Sequence, residues 1–128
     1  MIFSKRVSPS NLYIEYLQLM NGVLKLTEKE LEVMSEVMKI NDIDKRLKSY
    51  LSPDERDALL LGPDSRKLIR KTLGISQYNL NNYINSLKKK GVLKEKYSNG
   101  PLIINPILSP VIDSNTAKIE FKLEISNE

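Results

Sequence analysis

Apolar residues recur at regular spacings along most of the chain, and the first stretch with a readable pattern is residues 10–20. Within it, Leu12, Tyr16 and Leu19 fit one face of a helix, whereas Leu12, Ile14 and Tyr16 fit the alternation of a strand. The periodicity leaves both structures open, and we favour a short helix. The residues before this stretch show no pattern, and we expect them to be loosely held.

The second element has a helix start signal. An Asn-Gly pair at residues 21–22 is expected to end the preceding helix. Thr27 is followed three residues later by Glu30, which is the spacing of a capping box. Apolar residues continue beyond it at helical spacing. The pattern predicts a helix over residues 28–40, ended by the Asn-Asp pair at residues 41–42.

A further helical region follows. Residues 43–51 fit a short amphipathic turn or helix. Ser52 then offers an N-cap, Pro53 suits the first helical position, and Glu55 places an acid in the first turn. The helix that begins here is expected to end at the Gly-Pro pair of residues 62–63.

Residues 65–73 predict a short helix with a strongly basic face. Its apolar face consists of Leu68, Ile69 and Leu73. The opposite face carries Arg66, Lys67, Arg70 and Lys71. Gly74 is expected to end this helix, because glycine enters the left-handed backbone region without a steric penalty.

The next helix is predicted over residues 77–90, after a turn of only a few residues. Ser76 supplies its N-cap and Gly91 closes it. Its apolar stripe consists of Leu80, Tyr83, Ile84 and Leu87. A glycine, an apolar residue and a cap in sequence allow two helices to meet at a steep angle without a long loop.

The last third of the chain has the pattern of short strands. Residues 92–97 and 102–105 are partly β-branched, and the Ser-Asn-Gly-Pro turn at residues 98–101 joins them as a hairpin. Two prolines make the following passage irregular. In residues 119–125, apolar and charged residues alternate strictly. This pattern predicts a half-buried strand that pairs with the hairpin or with another copy of the chain. The fold class is therefore mainly α with a small β-hairpin (α+β).

The length of 128 residues fits one domain. We divide it into an N-terminal segment (1–23), a central unit (24–106) and a C-terminal extension with a strand (107–128). Absence of His and Cys excludes zinc fingers, disulfide frameworks, thiol nucleophiles and imidazole bases. No apolar run approaches the roughly 18 residues that cross a bilayer. We expect no membrane partner and a cytoplasmic location, with the virion as the alternative.

Other chemistry has little support in the sequence. The acidic pairs Asp42/Asp44 and Asp54/Asp57 lack a third clustered ligand. The five glycines are not arranged as a phosphate-binding loop. We therefore expect no metal, no cofactor and no enzymatic activity.

Charge is distributed unevenly along the chain. Residues 64–96 contain nine basic and two acidic residues, a net charge of +7, whereas the whole chain carries +4. The remainder is therefore net acidic. Such a concentration of positive charge indicates a polyanionic partner, although amphipathic helices also carry Lys and Arg simply as a solvated face.

The order of a short helix, a glycine-containing turn, a longer helix and a hairpin resembles the winged helix-turn-helix domain of bacterial and phage regulators. The resemblance lies in residues 65–70, 73–76, 80–84 and 87–93. The Lys-Gly ending of the helix, followed by two apolar residues, is similar to the MarR-like group. Ile-Ile-Asn-Pro at residues 103–106 resembles the end of the wing in phage and plasmid replication-initiator domains, and residues 24–33 resemble the opening helix of several regulators.

This resemblance implies a protein that binds double-stranded DNA with the helix over residues 77–90 in the major groove, as a transcriptional regulator. The residues expected to face bases are Ser76, Gln77, Tyr78, Asn79, Asn81, Asn82, Asn85 and Ser86. Those expected to face phosphates are Arg66, Lys67, Arg70, Lys71, Lys88, Lys89 and Lys90, with Lys94, Lys96 and Asn99 on the wing. Because Asn and Gln pair with adenine, A·T-rich sites are indicated. The codon bias of an A·T-rich genome is an alternative explanation for the number of asparagines in this helix.

The partners also leave alternatives open. A symmetric dimer or a larger assembly is expected, with the strand over residues 117–126 or the N-terminal segment as interface. A winged helix also serves in protein contacts, for example in a phage particle or a replication complex. A third class is a replication or packaging accessory that binds DNA without sequence preference.

Overall fold

The computed structural model describes residues 5–108, 111–113, 116–118 and 125. It is mainly helical with small antiparallel sheets, which confirms the α+β class. The helices are α1 (Leu12–Leu24), α2 (Glu28–Leu47), α3 (Pro53–Leu60), α4 (Pro63–Leu73) and α5 (Gln77–Lys89). The strands are β1 (Leu93–Glu95), β2 (Leu102–Ile104), β3 (Val111–Asp113) and β4 (Thr116–Lys118), and short 3-10 helices span Pro9–Asn11 and Pro106–Leu108.

Helix α1 confirms the helical interpretation of residues 10–20, but its predicted end is wrong. The helix continues through Asn21 and Gly22 and ends where Lys25 adopts a left-handed conformation with φ 56°. The Asn21 side chain accepts a hydrogen bond from the Leu26 N–H and donates one to the Leu26 carbonyl. Asn21 therefore stabilises the chain that leaves the helix, instead of ending the helix itself.

Helix α2 begins at the predicted capping box of Thr27 and Glu30, and both of its reciprocal hydrogen bonds are present. The prediction that it ends at residues 41–42 is wrong, because it continues to Leu47. Residues 43–47 are thus its last turns and not a separate element. The extension is supported by ion pairs four residues apart, Asp42 with Arg46 and Asp44 with Lys48.

Helix α2 is the central element of the core, since α1, α3, α4 and α5 all pack against it. Its buried apolar residues are Leu31, Val33, Met34, Val37, Met38 and Ile40. They meet Leu17 of α1, Leu60 of α3, Ile69 of α4 and Leu80, Ile84 and Leu87 of α5 within one cluster. The predicted apolar stripe of α5 is confirmed, with Tyr83 partly buried. On α4 the prediction for Leu68 is wrong: Leu68 is 53% exposed, whereas the neighbouring Ile69 is completely buried.

The turn between α4 and α5 has the predicted construction. Gly74 adopts φ 65° and ends α4, while the Ile75 N–H donates to the Arg70 carbonyl at 3.1 Å. Ser76 caps α5, and its hydroxyl accepts from the Asn79 N–H at 3.1 Å. Leu73 and Ile75 pack against the core on either side of the glycine. The start of α5 is therefore fixed by local hydrogen bonds and by packing.

The predicted hairpin is present but shorter than expected. Strand β1 pairs antiparallel with β2, with Leu93 opposite Ile104 and Glu95 opposite Leu102. Asn99 in the connecting turn has φ 62°, a left-handed conformation that Asn tolerates. Leu93 and Ile104 are buried, which anchors the hairpin to the core.

The chain after the hairpin is more regular than expected, because β3 and β4 form a second antiparallel pair. The predicted strand over residues 119–125 lies outside the described residues, apart from Ile125. The Tyr16 hydroxyl of α1 donates a 2.6 Å hydrogen bond to the Leu108 carbonyl, and burial raises the pKa of Tyr16. This bond connects the first helix to the chain that follows the hairpin. Throughout the described ranges, every helix is either too short or too polar to cross a membrane.

Two glycine substitutions are expected to have opposite effects on stability. Gly22 lies inside α1 with open space around its α-carbon, so Gly22→Ala is expected to raise the free energy of unfolding by about 0.5–1 kcal/mol. Gly74→Ala meets no neighbour either, but its left-handed conformation costs an alanine about 1 kcal/mol or more. Urea denaturation of both variants measures the difference, and a stabilised Gly74→Ala protein contradicts the assigned turn.

Candidate nucleic-acid interface

One side of helix α5 is anchored in the core and the opposite side faces solvent. Leu80, Ile84 and Leu87 are almost completely buried. Tyr78, Asn82, Asn85 and Lys89 form the outer stripe of α5, in which successive residues lie four, three and four positions apart. That spacing aligns them along one face of a helix. All four are exposed, and Tyr78 is 75% exposed.

Two arginines of α4 reach across to the flank of α5. Arg66 donates from Nη1 to the Asn81 side-chain oxygen at 3.0 Å, and from Nε to the Leu61 carbonyl at 2.7 Å. Arg70 donates from Nη1 to the Gln77 side-chain oxygen at 3.2 Å. These bonds connect the basic face of α4 to the first half of α5. Because these partners are neutral, neither guanidinium charge is compensated by a carboxylate of the described residues.

Lysines at the end of α5 and on the hairpin differ in what they contact. Lys88 forms a 2.7 Å ion pair with Glu95 of β1. The Lys88 hydrogen bond, together with the Asn99 backbone N–H, lowers the pKa of Glu95. Lys88 is therefore neutralised locally, while Asn99 stands exposed at the tip of the hairpin.

Lys96, which the sequence predicted as a DNA contact on the hairpin, lies against α3. Its ammonium group is 2.5 Å from a carboxylate oxygen of Asp54 and 2.6 Å from one of Asp57. Hydrogen bonds to Asp54 and Asp57 raise the pKa of Lys96, and its side chain is only 19% exposed. Two carboxylates already compensate this charge, so Lys96 fastens the hairpin to α3 and we leave it out of the contact surface.

Four predicted lysines remain exposed and have no ion-pair partner among the residues that the structure describes. We call them the outer lysines: Lys67 and Lys71 of α4, Lys89 of α5 and Lys94 of β1. With Arg66 and Arg70, six of the nine basic residues in residues 64–96 lack a carboxylate partner within that same part of the chain. The positive charge seen in the sequence is therefore largely uncompensated on α4, α5 and β1.

A buried carboxylate that the sequence did not connect to α5 holds the end of that helix. Glu30, 2% exposed, accepts hydrogen bonds from Lys90 at 2.7 Å, from the Thr27 N–H at 2.8 Å and from the Ser86 hydroxyl. Burial opposes ionisation, but the hydrogen bonds from Lys90, Ser86 and Thr27 outweigh it and lower the pKa of Glu30 to about 2. Ser86 and Lys90, expected to face DNA, thus face α2.

The acidic pairs considered as metal ligands are occupied by basic residues. Asp42 pairs with Arg46 and Asp44 with Lys48. In the described ranges, no three acidic side chains come close enough together to hold a metal ion. The exposed side chains of α4, α5 and β1 offer hydrogen bonding by amides and hydroxyls, together with electrostatic attraction by cations.

Comparison of the chain with protein-family models, with curated proteins and with solved structures finds no match. A functional interpretation therefore depends on the chemistry of the α4, α5 and hairpin surface.

Proposed function

We propose that this chain is a winged helix-turn-helix protein that binds double-stranded DNA, with α5 in the major groove and the β1–β2 hairpin as the wing. The observation that carries the proposal is the exposed outer stripe of α5, which lies next to cations of α4 and β1 that have no carboxylate partner among the described residues. An α-helix of about 10 Å diameter fits a major groove about 12 Å wide. The polar stripe then faces the base edges.

The cations are suited to contact the phosphates that border such a groove. The α4 contacts to Asn81 and Gln77 place the basic face of α4 beside the first half of α5. Lys89 ends the outer stripe, and Lys94 is exposed on the adjoining strand. Cations beside a helix position it on a duplex, because phosphate contacts fix register and orientation without reading sequence.

The rigidity of α5 also supports the proposal. Its start is held by the Ser76 cap and by the α4 arginines, and its end by the buried Glu30. A reading helix held at both ends loses little conformational entropy on binding, which favours affinity. The exposed amides of the outer stripe are groups that can discriminate between bases, and the role that we propose is therefore that of a transcriptional regulator.

Fluorescence anisotropy with random and A·T-rich 20-base-pair duplexes tests the proposal across a range of salt concentrations. The logarithm of the binding constant is expected to fall with the logarithm of salt with a slope of roughly −4 to −5, because each phosphate contact contributes about 0.9 units. Absence of binding at low salt contradicts the proposal and favours a protein partner. Equal binding to all duplexes supports DNA binding but contradicts the role of regulator.

A further inference from the structure

We propose that Asn82 and Asn85 read adenines on two neighbouring base pairs, and that Asn81 and Gln77 do not read adenine. The inference rests on the proposed function and deepens it, because it assigns sequence readout to two of the polar residues of α5. The inference is based on which side-chain amides already accept a hydrogen bond within the protein and which do not.

Adenine recognition requires both ends of an amide. In the major groove, the amide oxygen accepts from the adenine N6 amino group while the amide nitrogen donates to N7. An amide whose oxygen already accepts from an arginine is oriented by that bond, and it cannot present its oxygen and nitrogen together to one adenine edge without breaking it. The adenine readers are therefore the asparagines whose amide oxygen remains available.

Asn81 and Gln77 do not meet this requirement. Arg66 donates to the Asn81 oxygen at 3.0 Å, and Arg70 donates to the Gln77 oxygen at 3.2 Å. Both oxygens are thereby turned toward α4, away from the outer stripe. Asn81 is also half-buried, and the second bond of Arg66 to the Leu61 carbonyl fixes the guanidinium that holds it.

Asn82 and Asn85 meet the requirement of an available amide oxygen. Both are exposed on the outer stripe, and neither side chain forms a hydrogen bond to another described residue. Asn79 is exposed as well, but it lies on the flank of α5 that carries Ser86, and Ser86 faces Glu30 of α2. The two outermost amides of α5 are therefore those of Asn82 and Asn85.

The spacing of these two asparagines along α5 determines how many base pairs they can contact. Three residues advance a helix by about 4.5 Å and place the two side chains roughly 60° apart. Base pairs follow one another at about 3.4 Å. Two amides at this separation meet neighbouring base pairs, and the expected target contains two adjacent A·T pairs.

Base analogues test the assignment directly. The probes are an A·T-rich 20-base-pair duplex and the same duplex with every adenine replaced by 7-deazaadenine, which lacks the N7 acceptor in the major groove. Wild-type protein is expected to bind the modified duplex about tenfold more weakly or worse, since each bidentate contact discriminates by roughly that factor. The Asn82→Ala/Asn85→Ala variant is expected to bind both duplexes equally well.

The Gln77→Ala/Asn81→Ala variant is the matched control. It removes two amides from the same helix together with their bonds to Arg66 and Arg70, so its affinity is expected to fall equally for both duplexes while the ratio between the two affinities stays that of wild type. Circular dichroism verifies that both variants keep their helices. Equal binding of both duplexes by wild type overturns the inference and leaves the proposed function intact. Loss of discrimination in the control variant alone also overturns it. Failure of wild type to bind the unmodified duplex overturns both.

Discussion

Replacing all four outer lysines with glutamine is expected to lower the affinity for duplex DNA about a hundredfold at physiological salt. The reason is that each of these lysines is exposed and has no carboxylate partner in the described part of the chain, so its full charge is available to a phosphate. The slope of log affinity against log salt should become shallower by roughly 3 to 4 units. Anisotropy titrations between 50 and 200 mM salt measure both quantities.

A variant with the same loss of net charge on other elements separates a local effect from a general one. It replaces four basic residues of the N-terminal segment and α2 with glutamine: Lys5, Lys39, Lys45 and Arg46. Its affinity is expected to stay within a few-fold of wild type, because these residues lie outside α4, α5 and β1. Equal losses in the two variants would show that net charge alone attracts DNA and would contradict the proposed surface.

Glu30→Gln is expected to lower the free energy of unfolding at pH 7 by about 3 kcal/mol, the equivalent of its pKa displacement from 4.5 to about 2. The carboxylate is buried and holds Lys90, Ser86 and the Thr27 N–H together. Neutralising it leaves the Lys90 ammonium without its carboxylate and weakens the contact between α2 and α5. Urea denaturation at pH 7 measures the loss.

The Glu30 carboxylate also makes the free energy of unfolding depend on pH in the acidic range. Because the pKa of Glu30 is lower in the folded than in the unfolded chain, its contribution is complete above pH 4.5 and disappears as the pH falls toward about 2. The stability difference between wild type and Glu30→Gln should therefore shrink over that window. Glu32→Gln is the control, since Glu32 forms only an exposed pair with Lys29, expected to contribute well under 1 kcal/mol. A constant difference down to pH 2 contradicts the assignment.

Local signals explain which elements could be predicted from the sequence. The capping box of Thr27 and Glu30, the glycine at residue 74 and the cap at Ser76 each act within a few residues, and each lies where the sequence indicated. The ends of α1 and α2 were missed because Asn and Gly only weaken a helix by fractions of a kcal/mol to about 1 kcal/mol. In α2 the ion pairs Asp42–Arg46 and Asp44–Lys48 outweigh such a preference, and in α1 the last residue, Leu24, packs against the core.

The candidate surface could be predicted as a set of residues but not as a set of contacts. The sequence identified the basic residues and the amides, yet nothing in it distinguishes Lys94, which is exposed, from Lys96, which two aspartates of α3 hold. The partners of Lys90 and Arg66 are likewise distant in sequence, at Glu30 and Asn81. Such long-range pairs have no periodic signal and are determined by how the helices pack.

Helix α5 carries two groups of amides, one bound by the arginines of α4 and one on the outer stripe. This division has a consequence for which residues can change during evolution. Residues 82 and 85 are exposed, so substitutions there leave the interior undisturbed, and the proposed DNA preference can change at little thermodynamic cost. A substitution at Arg66, by contrast, loosens Leu61 and Asn81 together. Under the proposed function, a change of target should therefore occur first at the two outer asparagines, while the arginine is retained.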